Sequence, residues 1–181
     1  MNIMYIHGAN SRFNPNSERF ANMPDVELFG FNHTFEDSLE DIVKKARKVL
    51  IENDIDIIVG CSLGGYLASI ISDMFTIPAV VINPVYDINF IHEKYDVSEA
   101  FVESTKGVSF KPRMVGHVYL GTEDVVIDPV KSENYLLDLG VEPWEFTVMK
   151  GDHRMIDIPD LHATLVYCHC NTAMLGDGSN D

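Results

Sequence analysis

Basic residues are scarce in this chain: 13 Lys and Arg stand against 28 Asp and Glu in 181 residues, a formal net charge of −15. The few cations are scattered along the chain. A nucleic-acid groove or an anionic membrane surface calls for a basic patch, so neither is expected as a partner. Cysteine is scarce as well, with three residues, an odd number. The opening MNIMYIHG has no basic flank, no long apolar region and no cleavage site, and it reads as a strand instead of a leader. Reduced thiols and a cytoplasmic protein are expected, not a disulfide framework. No apolar run approaches the ~20 residues that cross a bilayer. Internal repeats, low-complexity blocks and clear linkers are lacking too.

What the chain does have is an alternation of short β-rich runs with helical patterns. Strands are expected at 2–6, 26–31, 55–60, 79–83, 114–120 and 144–149. Most are continuous apolar runs, the pattern of parallel strands covered on both faces. Between them, Leu39, Ile42, Val43, Ala46, Val49 and Leu50 fall on one face of a helix over 35–52. Thr34 with Asp37 resembles its capping box, and Glu40 to Lys44 and Asp41 to Lys45 are spaced as ion pairs. A second stripe marks 63–74, Pro129 and Gly140 bound a third helix at 129–139, and 160–172 reads as the last. This order predicts an α/β protein: a mostly parallel sheet of about six strands with helices on both faces, in one domain over 1–175, with 176–181 a flexible tail. Residues 84–113 interrupt the rhythm. They read either as a small helix-containing cap over a site or as an ordinary crossover with long loops.

Open parallel sheets bind ligands beyond the carboxyl ends of their strands, so the residues that follow each strand carry the most information. They are His7-Gly8-Ala9-Asn10, Gly60-Cys61-Ser62-Leu63-Gly64, Asn83-Pro84, Gly121-Thr122-Glu123-Asp124 and Lys150-Gly151-Asp152-His153. Gly-x-Ser-x-Gly is a short motif, but here it joins a buried strand to a helix. A turn that sharp brings the residues two before and two after the serine together, and Gly60 and Gly64 remove the clash. It also aims the Ser62 hydroxyl outward at a helix N-terminus, where developing negative charge is favoured. A serine needs a base, and His153, in a short polar loop after the last strand, is the best placed of seven histidines. The base needs an acid that orients it. Asp124 fits best; Asp128 is the rival, although it immediately precedes Pro129 and looks like a helix N-cap, and Glu123 is weaker. An oxyanion hole would use the backbone N–H of Leu63 and that of Ala9, with Asn10 as the alternative. Asn10 and Asn83, both on the ligand edge, are candidate substrate contacts. His7 is expected to brace its loop and not to transfer protons.

Taken in order, these motifs resemble the α/β-hydrolase superfamily. The short chain, MYIHGANS, GCSLGGYLA, INP and GTEDVVID resemble the small bacterial YqiA/YcfP-like esterases. The resemblance implies a minimal α/β-hydrolase fold without two N-terminal strands that are common in the superfamily. It further implies a serine esterase or acyl hydrolase with Ser62 as nucleophile, Asp124 as acid and His153 as base. Carboxylic esters or thioesters of a small or medium acyl group are the expected substrates, with no cofactor. A catalytically inactive binding protein on the same fold is the alternative. Metal binding by Cys168, His169 and Cys170 with His162 is not expected, because consecutive helical residues point in different directions. Cys61 reads as a packing residue.

Overall fold

The structure is a computed structural model, and it describes residues 1–95, 97–108, 116–139 and 144–176. Strand β1 (Asn2–Ile6) leads through a 3-10 turn (Glu18–Phe20) to β2 (Glu27–Phe29), then to α1 (Leu39–Asn53), β3 (Ile57–Cys61), α2 (Leu63–Phe75) and β4 (Ala79–Ile82). Two short helices follow, α3 (Ile88–Lys94) and α4 (Glu99–Thr105), then β5 (Gly116–Gly121), α5 (Pro129–Leu139), β6 (Trp144–Met149) and α6 (Leu161–Gly176). The six strands form one sheet in the order β2-β1-β3-β4-β5-β6, parallel throughout. The order reverses between β1 and β3, and a crevice opens at such a switch point. The loops that follow these two strands carry Gly8 and Ser62.

The period of two along each strand divides the core between the faces. Met4, Ile6, Ile58, Val81, Val118 and Leu120 pack under Ile42 and Ala46 of α1, Tyr66 and Leu67 of α2, and Leu136 of α5. Ile3, Ile57, Val59, Val80, Ile82 and Tyr119 meet Phe20 and the α6 stripe Leu161, Leu165 and Cys168 on the other face. Helices on both sides of a parallel sheet are what the continuous apolar strands require.

Several boundaries differ from expectation. Strand β2 is only three residues long. Helix α1 starts at Leu39, because Ser38 caps it by accepting the Asp41 N–H. Thr34 and Asp37 form a separate turn before it, joined by Thr34 N–H to Asp37 Oδ2 at 2.8 Å. That turn takes Lys45, which bonds Asp37 at 2.6 Å and not Asp41; Lys44 serves Glu40 at 2.9 Å. Helix α6 runs past 172 to Gly176. The stop at Gly140, residues 114–115 of the fifth expected strand, 109–113 of the insertion and 177–181 of the tail lie outside the described residues. The insertion is pinned to the start of α1. Phe101 is fully buried with its ring edge-on to Phe35, Tyr95 stacks on Phe35, and Ser104 Oγ accepts the Leu39 N–H at 2.9 Å. Among the described residues no helix is long and apolar enough to cross a membrane.

Candidate active site

Ser62 sits between β3 and α2 at φ 58° and ψ −124°. A serine in this region is strained by about 1–3 kcal/mol and persists only where its surroundings impose it. The surroundings are glycines. A Cβ on Gly60 would lie 2.1 Å from the Gly64 carbonyl oxygen, and one on Gly64 would lie 2.1 Å from the Ile6 oxygen and 2.5 Å from that of His7. The expected clash across the turn is present, and Gly64 meets a second obstacle in β1 that local spacing does not reveal. The Ser62 carbonyl accepts from Gly65, Tyr66 and Val85, and its N–H donates to Ile82 at 3.0 Å. Its hydroxyl makes no capping bond to α2.

Gly8 brings the first loop against this turn; its Cβ position is 3.2 Å from both Ser62 Cβ and the Cys61 oxygen. Ala9 and Asn10 line the same cleft as Ser62, with Asn10 exposed at φ 55°. The Leu63 side chain is in the core. Its backbone N–H is the first of α2 and has no intrahelical partner.

His7 acts on its own loop. Its Nδ1–H donates to the Gly8 carbonyl at 2.8 Å, while its Nε2 faces the His33 N–H at 3.4 Å. His33 Nε2–H donates to the His7 carbonyl at 2.9 Å, and the two rings stack at 4.1 Å. Both are buried and neutral. Burial, and then the neighbouring His7, pulls His33 down to about 4, and burial lowers His7 as well. The unfolded chain takes up protons near 6.5, whereas folded His33 resists until about 4. Its contribution to stability is therefore complete above pH 6.5 and is lost as the pH falls toward 4, about 3 kcal/mol in all. Urea midpoints of the wild type should fall across that window, and His33→Gln should flatten the slope; equal slopes in the two proteins would show that other groups set it.

The β5 and β6 loops converge on the opposite wall. Asp124 Oδ2 accepts His153 Nδ1–H at 2.8 Å, and Asp124 Oδ1 accepts the N–H groups of Val126 (2.7 Å) and Ile127 (2.9 Å). The Asp124 side chain is wholly buried, and that of His153 is 22% exposed into the cleft. Three donors compensate the buried carboxylate. Asp128 instead caps α5 by accepting from Val130 and Lys131, and Glu123 faces Lys150 at 3.6 Å. Of the three acids considered, Asp124 is the one brought to His153. Cys61 is a buried thiol that donates weakly to the His153 carbonyl at 3.7 Å, and its pKa is raised chiefly by burial.

Asn83 does not reach the cleft as a substrate contact would. It is 2% exposed, and its amide is used up: Nδ2 donates to the carbonyls of Asp152 (3.0 Å) and His153 (3.1 Å), and Oδ1 accepts the Gly121 N–H at 2.7 Å. It therefore ties the loop of Asp124 to the loop of His153. Its own backbone, at φ 42°, is one that asparagine tolerates better than most residues. Asn83→Ala leaves the buried Gly121 N–H and the part-buried Asp152 carbonyl without this partner and the His153 carbonyl with only the weak Cys61 thiol, and should cost roughly 2–4 kcal/mol in urea unfolding. A substrate contact would instead raise KM with stability untouched.

Arg19 was not singled out by the sequence. It is buried against Tyr5, and its guanidinium donates to the Tyr5 hydroxyl (2.9 Å) and to the carbonyls of Met155 (3.3 Å) and Arg154. Through the two carbonyls Arg19 holds the loop that follows His153. They lie 135 and 136 residues away in the chain, and no local pattern points to them. In α6, Cys168 lies in the core, Cys170 is exposed, and His169 faces Asp56 at 3.9 Å, so the three side chains diverge.

The cleft shared by Ser62 and His153 measures about 730 Å³. Residues 2–158 match the model of the uncharacterised protein family UPF0227. The sequence matches no curated protein. Among solved structures, the esterase domain of a Rhodothermus marinus protein superposes with a TM-score of 0.66 at 14% identity, over 96% of this chain and 85% of that one. The mouse alpha/beta hydrolase domain-containing protein 10 gives 0.63 at 17% identity, over 99% and 90%. The Staphylococcus aureus fluorophosphonate-binding serine hydrolase F gives 0.62 at 18% identity, over 99% and 84%. At these identities the likeness establishes the α/β-hydrolase fold.

Proposed function

We propose, from the premise that this chain belongs to the UPF0227 family, of the YqiA/YcfP-like type, that it is a serine hydrolase. Its substrates are carboxylic esters or thioesters of a small or medium acyl group, cleaved through an acyl-enzyme. The observation that carries this reading is the 2.8 Å bond from His153 to the buried Asp124, in the cleft that Ser62 also lines.

In this reading Ser62 Oγ attacks the acyl carbonyl carbon while its proton passes to His153 Nε2. Asp124 keeps the proton of the neutral imidazole on Nδ1 and stabilises the imidazolium that forms. The N–H groups of Leu63 and Ala9 receive the oxyanion, each worth roughly 10²- to 10³-fold. The C–O or C–S bond then breaks, and the leaving group departs with the proton from His153. Water attacks the acyl-serine, gives a proton to His153, and the acid leaves as Ser62 recovers its hydrogen. Ester or thioester and water become acid and alcohol or thiol. The three free thiols support a reducing, cytoplasmic setting.

Intact-mass analysis with a fluorophosphonate probe tests the reading, together with a chain-length panel of p-nitrophenyl esters and acyl thioesters. One adduct on Ser62 and turnover of part of the panel are expected. A folded protein with no adduct and no turnover would leave the non-catalytic binding protein as the better account.

A further inference from the structure

The cleft beside Ser62 has a charge character opposite to that of the whole molecule. The chain has five arginines. Three of them, Arg12, Arg19 and Arg154, line this cleft, and Glu18 is the sole carboxylate among the lining residues. Among the described residues no carboxylate lies within 4 Å of any of these three guanidinium groups. Acidic residues outnumber basic ones by 28 to 13 in this chain, so three cations left without an acid in one place call for a reason.

Arg19 makes the case sharpest. At 8% exposure it is a buried cation, and buried charges are normally paired. Its three bonds all go to uncharged oxygens, because burial raises the pKa of its partner Tyr5 and keeps that phenol protonated. The guanidinium also faces the neutral Cys61 thiol. Its contacts with the backbone of Met155 and Arg154 account for its place as a brace, but not for Arg12 and Arg154, whose side chains are exposed at the rim. Arg154 directly follows His153, and its backbone N–H is held by Asp152 Oδ1 at 2.9 Å, so the base of that side chain is fixed beside the imidazole. Ser11, Asn14 and Asn16 add polar groups to the same wall. A long, plain acyl chain finds little apolar surface here. A planar guanidinium fork matches a carboxylate or a phosphate.

We propose that this cleft holds an oxyanion of the substrate, a carboxylate or a phosphate, on Arg12 and Arg154, with Arg19 as a fixed charge beneath them. The inference deepens the hydrolase reading and rests on it for the reaction, whereas anion binding can be measured without turnover.

Two pairs of matched esters separate the sources of the anion. Mono-p-nitrophenyl adipate against p-nitrophenyl hexanoate places a carboxylate on the acyl side. 1-Acetylglycerol 3-phosphate against 1-acetylglycerol places a phosphate on the leaving side. In at least one pair the charged member should show kcat/KM about 10-fold higher at ~50 mM salt, with most of the preference gone at ~0.5 M. The double variant Arg12→Gln/Arg154→Gln should reduce that ratio about fivefold or more. As a second readout, adipate or glycerol 3-phosphate should raise the melting temperature of the wild type above that in chloride at equal ionic strength, and not that of the double variant. Turnover without charge preference in either pair, with Ser62 still labelled and no thermal shift, overturns the anion site and leaves the hydrolase standing. A thermal shift that depends on both arginines, without labelling or turnover, sinks the hydrolase reading and supports the anion site.

Discussion

Ser62→Ala is expected to reduce ester turnover by about 10⁴-fold or more, into the range left by binding and oxyanion stabilisation alone. The size of the loss follows from the role: without the hydroxyl no acyl-enzyme forms, and His153 and Asp124 have no proton to manage. Stability should move in the other direction. Ser62 holds a strained backbone at φ 58°, so Ser62→Gly relieves about 1–3 kcal/mol of strain against an added unfolded-state entropy of about 0.5–1 kcal/mol. A net gain of about 1 kcal/mol in urea unfolding, with turnover abolished, is the expected signature of a residue kept for chemistry at a cost in stability. A Ser62→Ala protein that retains wild-type turnover would end the serine mechanism outright.

Gly64→Ala should be strongly destabilising. Its Cβ would sit 2.1 Å from the Ile6 oxygen and 2.5 Å from the His7 oxygen, both backbone atoms of the neighbouring strand and its exit. Neither atom can rotate away as the tip of a side chain can. Either β1 or the start of α2 must shift, and the elbow moves with it. Overpacking of this kind costs about 3 kcal/mol, and the loss of turnover should exceed what instability explains, because Gly8 and Ser62 are displaced relative to one another. Gly107→Ala is the control. It has a left-handed φ of +72° but nothing within 4 Å, so backbone strain of about 1 kcal/mol and unchanged turnover are expected. Comparing urea midpoints and kcat for the two variants separates close approach from backbone conformation.

Much of this molecule could be read along the chain because its signals are local. The strands β1 and β6 and the helix at 129–139 match their expected ranges, since continuous apolar runs and a Pro start depend only on near neighbours. Helix α1 starts four residues later than expected, because Ser38 and not Thr34 caps it, with the tertiary partner Ser104 accepting the Leu39 N–H at the same boundary. The short α3 and α4 had no periodic pattern long enough to register as separate helices.

Within the site the division runs between residue types and pairings. The glycine-flanked serine, the late histidine and the three acids were visible from their order after the strands. The order after the strands favours Asp124 over Asp128 and Glu123, and the β5 and β6 loops bring Asp124 to His153. Asp128 is drawn into capping its own helix and Glu123 faces Lys150 across the two loops, and a buried carboxylate persists only where donors converge on it. Asn83 changed its part for the same reason. Its neighbours in sequence say only that it follows a strand, whereas its amide spans two loops 38 and 69–70 residues away. Sequence alone determined the parallel α/β layering and the elbow, since both follow from hydrophobic period and from the space around a turn. Tertiary structure alone decided the Asn83 tie, the Arg19 brace and the cationic wall of the cleft, since charge pairing and polar burial depend on groups that the chain separates and the sheet brings together.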